Sequence, residues 1–146
     1  MIKPYRAEDH KKLIAVFKLN VPKYFDEKET HDFEQYLAQN GDTYFTYWQE
    51  QEIVGGTGYY VNESEKSGSI TWIFFAPEHT RKGLGRAAVK HCLSLLAKDE
   101  RVKKHRVTTS QLAHKFFEQF GFKTIRMEKD YWGIGLDLYE MEMFKP

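Results

Sequence analysis

The chain has 146 residues, close to the usual size of one domain, so we expect a single domain over residues 1–146 with one core. Its 22 Lys and Arg nearly balance 21 Asp and Glu, and the net charge of +1 gives no basic excess to bind nucleic acid. Cys92 is the only cysteine, which excludes an internal disulfide and a cysteine-cluster metal site and favours a cytoplasmic location.

The first forty residues predict a short strand and two helices. Residues 2–5 predict the strand, and apolar side chains then recur at helical spacing until Pro22 ends the first helix. Asp26 and Glu29 are three residues apart, which is typical of a capping box, so a second helix is expected to begin there. The inner face of this helix is predicted to comprise Phe33, Tyr36, Leu37 and Asn40.

A β-hairpin is predicted next, over residues 43–48 and 53–61, because both runs are rich in β-branched and aromatic residues. The second run contains Gly55, Gly56 and Gly58, which mark either a bulge or a close approach of two backbones. These glycines do not predict a nucleotide-binding loop, because no helix follows them.

A strand–helix–strand unit follows the hairpin. Residues 69–76 form the most apolar strand, which predicts a central position in the sheet with both faces buried. This apolar segment is far too short to span a bilayer, so no membrane partner is expected. A long helix from Leu84 to about Lys98 and a strand over residues 105–109 complete the unit.

The C-terminal part predicts one more helix and a closing hairpin. Ser110 is expected to cap the helix, and Gly121 is expected to end it. Residues 122–128 and 136–144 predict the two strands of the hairpin. The alternation of strands and helices indicates a mixed α/β sheet.

The segment 77–86, between the central strand and the long helix, has the composition of a phosphate-binding loop. Gly83 and Gly85 allow the backbone to approach a ligand closely, and the start of the helix adds partial positive charge. Whole positive charges come from Arg81, Lys82 and Arg86.

Two common phosphate-binding motifs do not explain this segment. It lacks the G-x-x-x-x-G-K-[ST] pattern of a Walker loop. Gly83, Gly85 and Ala88 satisfy the G-x-G-x-x-G/A pattern of dinucleotide-binding proteins. That pattern requires a tight turn after the strand, whereas here six residues separate the strand from Gly83, and a hairpin precedes the unit. A dinucleotide-binding protein is therefore a weak alternative.

Two motifs resemble those of the GCN5-related N-acetyltransferase (GNAT) family. Residues 80–85, Thr-Arg-Lys-Gly-Leu-Gly, are similar to the family's Q/R-x-x-G-x-G/A motif, which follows a strand that ends in Pro. The family's N-x-x-A-x-x-F-Y-x-K-x-G-F motif falls on Ser110, Ala113, Phe116, Phe117, Gln119, Gly121 and Phe122. The order of the predicted elements is also the family order, so the resemblance covers essentially the whole chain.

This resemblance implies an α/β (α+β) fold with a mixed, mostly antiparallel twisted sheet of about seven strands and about four helices. The sheet would have a central parallel pair of strands that splay apart. The implied activity is transfer of an acetyl group from acetyl-CoA to an amine of a small molecule or of a protein or peptide, by direct attack in a ternary complex. The implied coenzyme-binding residues are Phe74, Phe75, Ala76, Arg81, Lys82, Gly83, Leu84, Gly85, Arg86, Ser110, Ala113 and Phe117.

The sequence departs from the family pattern at three positions. Thr80 replaces Gln or Arg, and Ser110 replaces Asn. Phe117 replaces the Tyr that commonly protonates the departing thiolate, so the general acid of this chain is not identified by the motif. The same substitution leaves open a second function, a non-catalytic module that binds acyl-CoA.

The resemblance also suggests residues for acid–base chemistry and for the acceptor. His105 matches a histidine in the branch of the family that acetylates protein N-termini, although a surface histidine among basic neighbours is the alternative. Tyr24 and the pair Tyr131 and Trp132 resemble acceptor-binding residues of that branch, and simple packing is the alternative. The expected catalytic residues are thus His105 and Tyr131, in a monomer or homodimer.

Overall fold

Seven strands form one mixed sheet in the computed structural model, which describes residues 1–79 and 83–145. The strands are β1 Ile2–Pro4, β2 Tyr44–Gln49, β3 Glu52–Asn62, β4 Ser67–Phe75, β5 Lys104–Thr109, β6 Lys123–Gly133 and β7 Leu136–Phe144. The α-helices are α1 His10–Lys18, α2 Glu29–Asn40, α3 Leu84–Ala97 and α4 His114–Glu118. The predicted fold class is confirmed. No helix within the described ranges is long and apolar enough to cross a membrane.

One pair of strands in the described part of the sheet is parallel, and it lies in the middle of the sheet. The strand order is β1-β2-β3-β4-β5-β7-β6, and the other neighbouring pairs are antiparallel. β4 and β5 pair only from Ser67 to Ser69 and from Lys104 to Arg106. Both strands continue beyond this short ladder, to Phe75 and to Thr109. The two strands therefore separate, and the opening between them positions the candidate site.

Helices cover both faces of the sheet, and β4 carries the boundary between the two layers. Phe74 packs in a cluster with Phe17 of α1 and Phe33 of α2. The next residue, Phe75, packs instead with Ala88 of α3. Successive side chains of a strand point to opposite faces, so α1 and α2 lie on one face and α3 on the other. Both faces of β4 are covered, as the sequence predicted.

The bulge considered at the glycines of β3 lies instead in the neighbouring strand, β4. Gly56 pairs with Phe74 and Gly58 pairs with Thr71, so β4 contains one more residue than β3 over this step. Trp72, within this bulge, has a φ of 45°. The glycines themselves provide a close approach, because a Cβ on Gly56 would lie 2.7 Å from the Tyr44 hydroxyl oxygen. That hydroxyl donates a hydrogen bond to the Trp72 carbonyl across 2.5 Å.

The helix predicted from Ser110 to Gly121 is shorter than expected. Residues 110–113 form a turn, in which the Ser110 hydroxyl oxygen accepts a hydrogen bond from the backbone N–H of Leu112 at 3.2 Å. Leu112, within this turn, is 47% exposed. The helix begins only at His114, and Gly121 follows its end with a φ of 105°, as a C-terminal glycine does.

Candidate active site

A cavity of about 870 Å³ lies where β4 and β5 separate. Residues 69–75 of β4 and residues 106–109 of β5 line it. One part of its lining is formed by residues in or next to α3 and α4, including Gly85 and Ser110, and another part by Tyr24, Glu29 and Trp132. The cavity thus connects the two sides of the sheet, so two different molecules can enter it and meet between the strands.

The α3 side carries most of the residues expected to bind the coenzyme. Phe74, Phe75, Gly85, Ser110, Ala113 and Phe117 line the cavity. Leu84 packs beside Ala88, and the backbone N–H of Ala76 donates to the Val54 carbonyl at 2.8 Å, so this amide is used within the sheet. Arg86 is exposed, with its guanidinium 5.5 Å from the Phe120 ring centre. Arg81 and Lys82 lie outside the described residues.

The start of α3 fits a phosphate group. Gly83 adopts a φ of 75° and begins the helix, and the first hydrogen bond of the helix runs from the Ala87 N–H to the Gly83 carbonyl at 3.1 Å. The N–H groups of the first turn precede this bond, so they can bind an anion, which the helix dipole also favours. At Gly85 an added Cβ would meet nothing closer than 3.5 Å, the distance to the Phe116 ring. The cavity wall is therefore open beside Gly85.

The connection between α1 and α2 is fixed to the end of β4. The Asn20 side-chain amide donates to the Phe75 carbonyl at 3.0 Å. The Asn20 carbonyl accepts hydrogen bonds from the N–H groups of Tyr24 and Phe25, at 2.9 and 3.2 Å. The Phe25 ring stacks on Trp72, with ring centres 6.1 Å apart. This connection therefore forms a wall of the cavity, and Tyr24 lies on it.

The end of β6 forms the opposite wall and meets the same connection. The Trp132 indole N–H donates to the Thr109 carbonyl at 3.0 Å, which holds its ring at the cavity. Gly133 lies directly against Asp26, because an added Cβ would lie 2.6 Å from the Asp26 Cγ. Tyr131 points elsewhere: its side chain is 46% exposed and packs edge-on against Trp132, outside the lining.

The contact between Gly133 and Asp26 predicts an effect at the end of the cavity where the acceptor is expected to bind. Gly133→Ala is expected to displace Asp26 and, with it, the start of α2, where the Asp26 carboxylate accepts the Lys28 N–H at 3.1 Å. We expect the KM for the amine acceptor to rise about tenfold, because substrate positioning depends on small distances. Steady-state kinetics measures this change. The affinity for coenzyme A should stay constant, and a change confined to that affinity would contradict the assignment.

Glu29 lines the cavity, although the sequence pattern indicates only a helix cap at this position. One of its carboxylate oxygens does accept the Asp26 N–H at 2.8 Å. Its side chain is only 5% exposed. Burial raises the pKa of this carboxyl group from its usual range to about 7. The signal in the sequence was an acidic residue at helical spacing with Phe33 and Tyr36, on the inner face.

His105 is not placed where a general base would be needed. It is 2% exposed, does not line the cavity, and pairs with Gly68, whose added Cβ would strike Leu96 of α3. Neither ring nitrogen has a hydrogen-bond partner among the described residues. Burial, and secondly the charge of Lys145, lower the pKa of His105. The alternative of a surface histidine is also wrong, because the residue is buried under α3.

Solved structures share this architecture. Ard1 from Thermoplasma volcanium is 15% identical and superposes with a TM-score of 0.82, over 100% of this chain and 97% of that one. Naa20 from Chaetomium thermophilum, in complex with a bisubstrate analogue, is 20% identical, with a TM-score of 0.77 over 99% and 86%. An aminoglycoside 6'-N-acetyltransferase complexed with coenzyme A is 12% identical, with a TM-score of 0.77 over 100% and 97%.

The sequence itself identifies the family. No curated protein matches it. The family model of the acetyltransferase (GNAT) family, however, matches residues 13–122. These residues include both motifs but not β6 and β7, the last strands of the sheet. The match extends from α1 through α4, so it spans both sides of the cavity. This chain belongs to the acetyltransferase (GNAT) family, and its class of enzyme is acyltransferase.

Proposed function

We propose that this chain transfers an acetyl group from acetyl-CoA to an amine of a small molecule or of a peptide, by direct attack in a ternary complex. The observation that carries the proposal is the continuous cavity between β4 and β5, whose lining includes both the expected coenzyme residues and the expected acceptor residues. Such a cavity brings the thioester and the amine together without a separate transfer step, which lowers the entropic cost of their reaction.

The coenzyme would lie along the α3 side of this cavity. The N–H groups at the start of α3, together with the charges of Arg81, Lys82 and Arg86, would bind the pyrophosphate. The pantetheine arm would pass between Phe74 and Phe75 of β4 and the wall of Ser110, Ala113 and Phe117. The backbone of β4 beyond Ser69 is not paired with β5, so its polar groups can bind the arm.

Direct transfer is supported by the position of the only thiol. Cys92 is buried in α3, outside the lining of the cavity, and its S–H donates to the Gly58 carbonyl at 3.5 Å. Burial raises the pKa of this thiol to about 12, so it supplies almost no thiolate at neutral pH. Cys92 is therefore not a suitable nucleophile to form an acetyl-cysteine intermediate, so the amine itself must attack the thioester.

The reaction needs a proton for the departing thiolate. Attack forms a C–N bond, and collapse of the tetrahedral intermediate breaks the C–S bond and leaves the electron pair on sulfur. Phe117 cannot protonate this thiolate. The Ser110 hydroxyl lines the coenzyme side, and its oxygen accepts the Leu112 N–H with one lone pair. Its O–H can therefore donate to the sulfur while its second lone pair takes the proton released by the attacking nitrogen, so that Ser110 relays this proton. Tyr131 remains a candidate contact for the part of the acceptor outside the cavity.

A panel of amines and peptides with free-thiol release as readout tests the proposed reaction. We expect at least one primary amine to release coenzyme A thiol and to be recovered as its acetyl derivative. The second candidate, a non-catalytic acyl-CoA-binding module, is favoured by Phe117. Tight binding of coenzyme A without turnover of any amine in the panel would support that module and contradict the proposed transfer.

Gly85→Asp tests where the coenzyme binds. A carboxylate at this open position would meet the pyrophosphate with bulk and like charge, so the Kd for coenzyme A is expected to rise at least about tenfold. Isothermal titration calorimetry measures the Kd. Gly85→Ala serves as the control, since its Cβ makes only an ordinary contact with Phe116 at 3.5 Å. An unchanged Kd in Gly85→Asp would show that the pyrophosphate binds elsewhere.

A further inference from the structure

We propose that Glu29 binds the ammonium form of the acceptor inside the cavity and accepts its proton, and that it thereby selects primary amines carried on apolar or aromatic groups. This inference rests on the proposed transfer reaction and names its general base and its substrate class. An acceptor of this class has no carboxylate or phosphate close to its amine.

Helix α2 directs Glu29 toward the reacting end of β4. Glu29, Phe33 and Tyr36 share one face of the helix. The Phe33 ring lies 5.2 Å from the Trp72 ring and 5.4 Å from the Phe74 ring, between ring centres. One turn further on, the Tyr36 hydroxyl is 2.9 Å from the Thr71 hydroxyl oxygen. The helix therefore runs antiparallel to β4, and Glu29 at its start lies toward the end of the strand at Phe75.

Among the described residues that line the cavity, Glu29 is the one charged residue that has no oppositely charged partner. The other charged lining residue is Arg106. Arg106 forms ion pairs with three glutamates: with Glu65 at 3.1 Å, with Glu142 at 3.3 Å, and with Glu140. When Glu29 is ionised, the cavity thus carries an unpaired negative charge, which favours a cation and opposes an anion.

The surroundings of Glu29 keep it able to exchange a proton near neutral pH. Burial, together with the charges of Asp26 and Asp32, raises its pKa to about 7, against the opposing effects of the Asp26 N–H hydrogen bond and the charge of Lys28. The elements packed against this face of α2 present aromatic rings rather than charges in the described contacts: Phe17 from α1, and Trp72 and Phe74 from β4. A group with a pKa near the working pH is suited to general base catalysis.

A purely structural role for Glu29 does not explain its charge. Its hydrogen bond from the Asp26 N–H uses one carboxylate oxygen, and this N–H is the only hydrogen-bond donor to the carboxylate within residues 1–79 and 83–145. A glutamine would accept the same bond with its amide oxygen, because capping requires an oxygen and not a charge. The remaining oxygen is therefore available to the acceptor amine.

The proton balance follows from this placement. The acceptor enters as R–NH3⁺, and the Glu29 carboxylate takes one proton, which leaves a neutral amine and a neutral carboxylic acid. The amine lone pair forms the C–N bond, the C–S bond breaks, and the thiolate receives the second proton of the attacking nitrogen. Glu29 then releases its proton to solvent. Overall, the ammonium ion and acetyl-CoA give the acetyl amide, the free thiol and one proton.

The walls beside Glu29 indicate what the amine is attached to. Tyr24, Phe25, Trp72 and Trp132 all line this end of the cavity. Aromatic rings bind apolar groups by burial of their surface, and they also attract cations through their faces. The cavity therefore suits an ammonium group on an aromatic or apolar carrier, and a carboxylate next to the amine would be repelled by Glu29.

The test uses 2-phenylethylamine, whose ammonium group titrates far above neutral pH, and phenylalanine, which adds one carboxylate to the same skeleton. We measure kcat/KM by thiol release between pH 5.5 and pH 9, for wild type, Glu29→Gln and the control Glu27→Gln. Glu27 is exposed and lies two residues from Glu29, so the control removes the same charge outside the cavity.

For the wild type we expect kcat/KM with 2-phenylethylamine to fall as Glu29 becomes protonated below pH 7, and to exceed that with phenylalanine at least about tenfold. Glu29→Gln should lower kcat/KM about 100-fold, lose this fall below pH 7, and lose most of the discrimination. Glu27→Gln should match the wild type. The inference is overturned if Glu29→Gln keeps the wild-type rate and pH profile, or if phenylalanine is used as well as 2-phenylethylamine.

Titration of coenzyme A into the same three proteins separates this inference from the proposed function. We expect all three proteins to bind coenzyme A with equal affinity, while only Glu29→Gln loses activity. That result would mean that the substitution impairs the use of the acceptor and not the binding of the coenzyme. A wild-type protein that binds coenzyme A and acetylates other amines but not 2-phenylethylamine would overturn the substrate class alone. Absence of coenzyme A binding in the wild type would instead contradict the proposed function itself.

Discussion

Glu29→Gln is expected to stabilise the folded protein by about 3 kcal/mol above pH 7. Burial raises the pKa of Glu29 from about 4.5 in the unfolded chain to about 7 in the folded one, a change equivalent to about 3 kcal/mol. The folded state therefore binds more protons than the unfolded state between these two values, and wild-type stability falls as the pH rises through this window. Glutamine has no charge to bury, so the variant avoids this loss.

Urea unfolding at pH 5 and at pH 8 measures the effect. The two proteins should differ by less than about 1 kcal/mol at pH 5 and by about 3 kcal/mol at pH 8, which corresponds to about 6–12 °C in Tm. The exposed control Glu27→Gln should show no such difference. Equal stability of wild type and Glu29→Gln at pH 8 would show that the Glu29 carboxylate is well solvated. A substitution that lowers activity and raises stability, as expected for Glu29→Gln, is typical of a functional residue.

Gly58→Ala is expected to destabilise the protein by about 3 kcal/mol. An added Cβ would lie 2.6 Å from the Thr43 carbonyl oxygen and 2.9 Å from the Tyr44 Cα. Both are backbone atoms, one at the start of β2 and one in the residue just before it, so no rotation of a side chain can relieve the overlap, and the two segments would have to separate. The damage would extend to the Tyr44 hydroxyl, whose hydrogen bond to the Trp72 carbonyl fixes the bulge of β4.

The matched control for this variant is Gly85→Ala, the same chemical change at a position where the nearest atom to the new Cβ is 3.5 Å away. Because Gly85 lies within α3, alanine there should leave the free energy of unfolding unchanged or slightly increased. Urea unfolding of both variants gives the comparison. If Gly58→Ala and Gly85→Ala unfold at the same urea concentration, then β2 and β3 are not packed as described.

The order of strands and helices was predictable because each segment carries its own local signal. The long apolar run at residues 69–76 predicted a central strand, and β4 is the fourth of seven strands in the sheet. The position of the bulge was not predictable. Gly56 and Gly58 indicate a bulge or a close approach of another backbone to β3. Only the pairing register shows that the extra residue belongs to β4, at Trp72. Register is a tertiary property, which local spacing does not determine.

Cavity-lining positions were easier to predict for the residues expected to bind the coenzyme than for those expected to bind the acceptor, for a physical reason. Gly85, Ser110 and Ala113 follow from motifs in which spacing along one turn or helix fixes the position of the residue. Tyr131 and Trp132 are neighbours on a strand, where adjacent side chains point to opposite faces. Their sequence alone does not show which of them faces the cavity, and in the structure it is Trp132.

The positions of His105 and Glu29 show the same limit of local sequence patterns. His105 was suggested by its residue type and by its place at the start of a strand, but its side chain points under α3. Glu29 was identified from the local pattern of a capping box, which is correct for its Asp26 hydrogen bond. Its place in the lining of the cavity depends on the packing of α2 against β4, so only the fold reveals it.

Initial rates measured with acetyl-CoA and 2-phenylethylamine varied together test direct transfer in this cavity most directly. If both molecules must occupy the cavity before the C–N bond forms, double-reciprocal plots at different amine concentrations will intersect. Parallel lines would mean that coenzyme A leaves before the amine binds, which requires an acetylated enzyme. Intersecting lines are the result expected from the continuous cavity and the buried Cys92; parallel lines would contradict direct transfer.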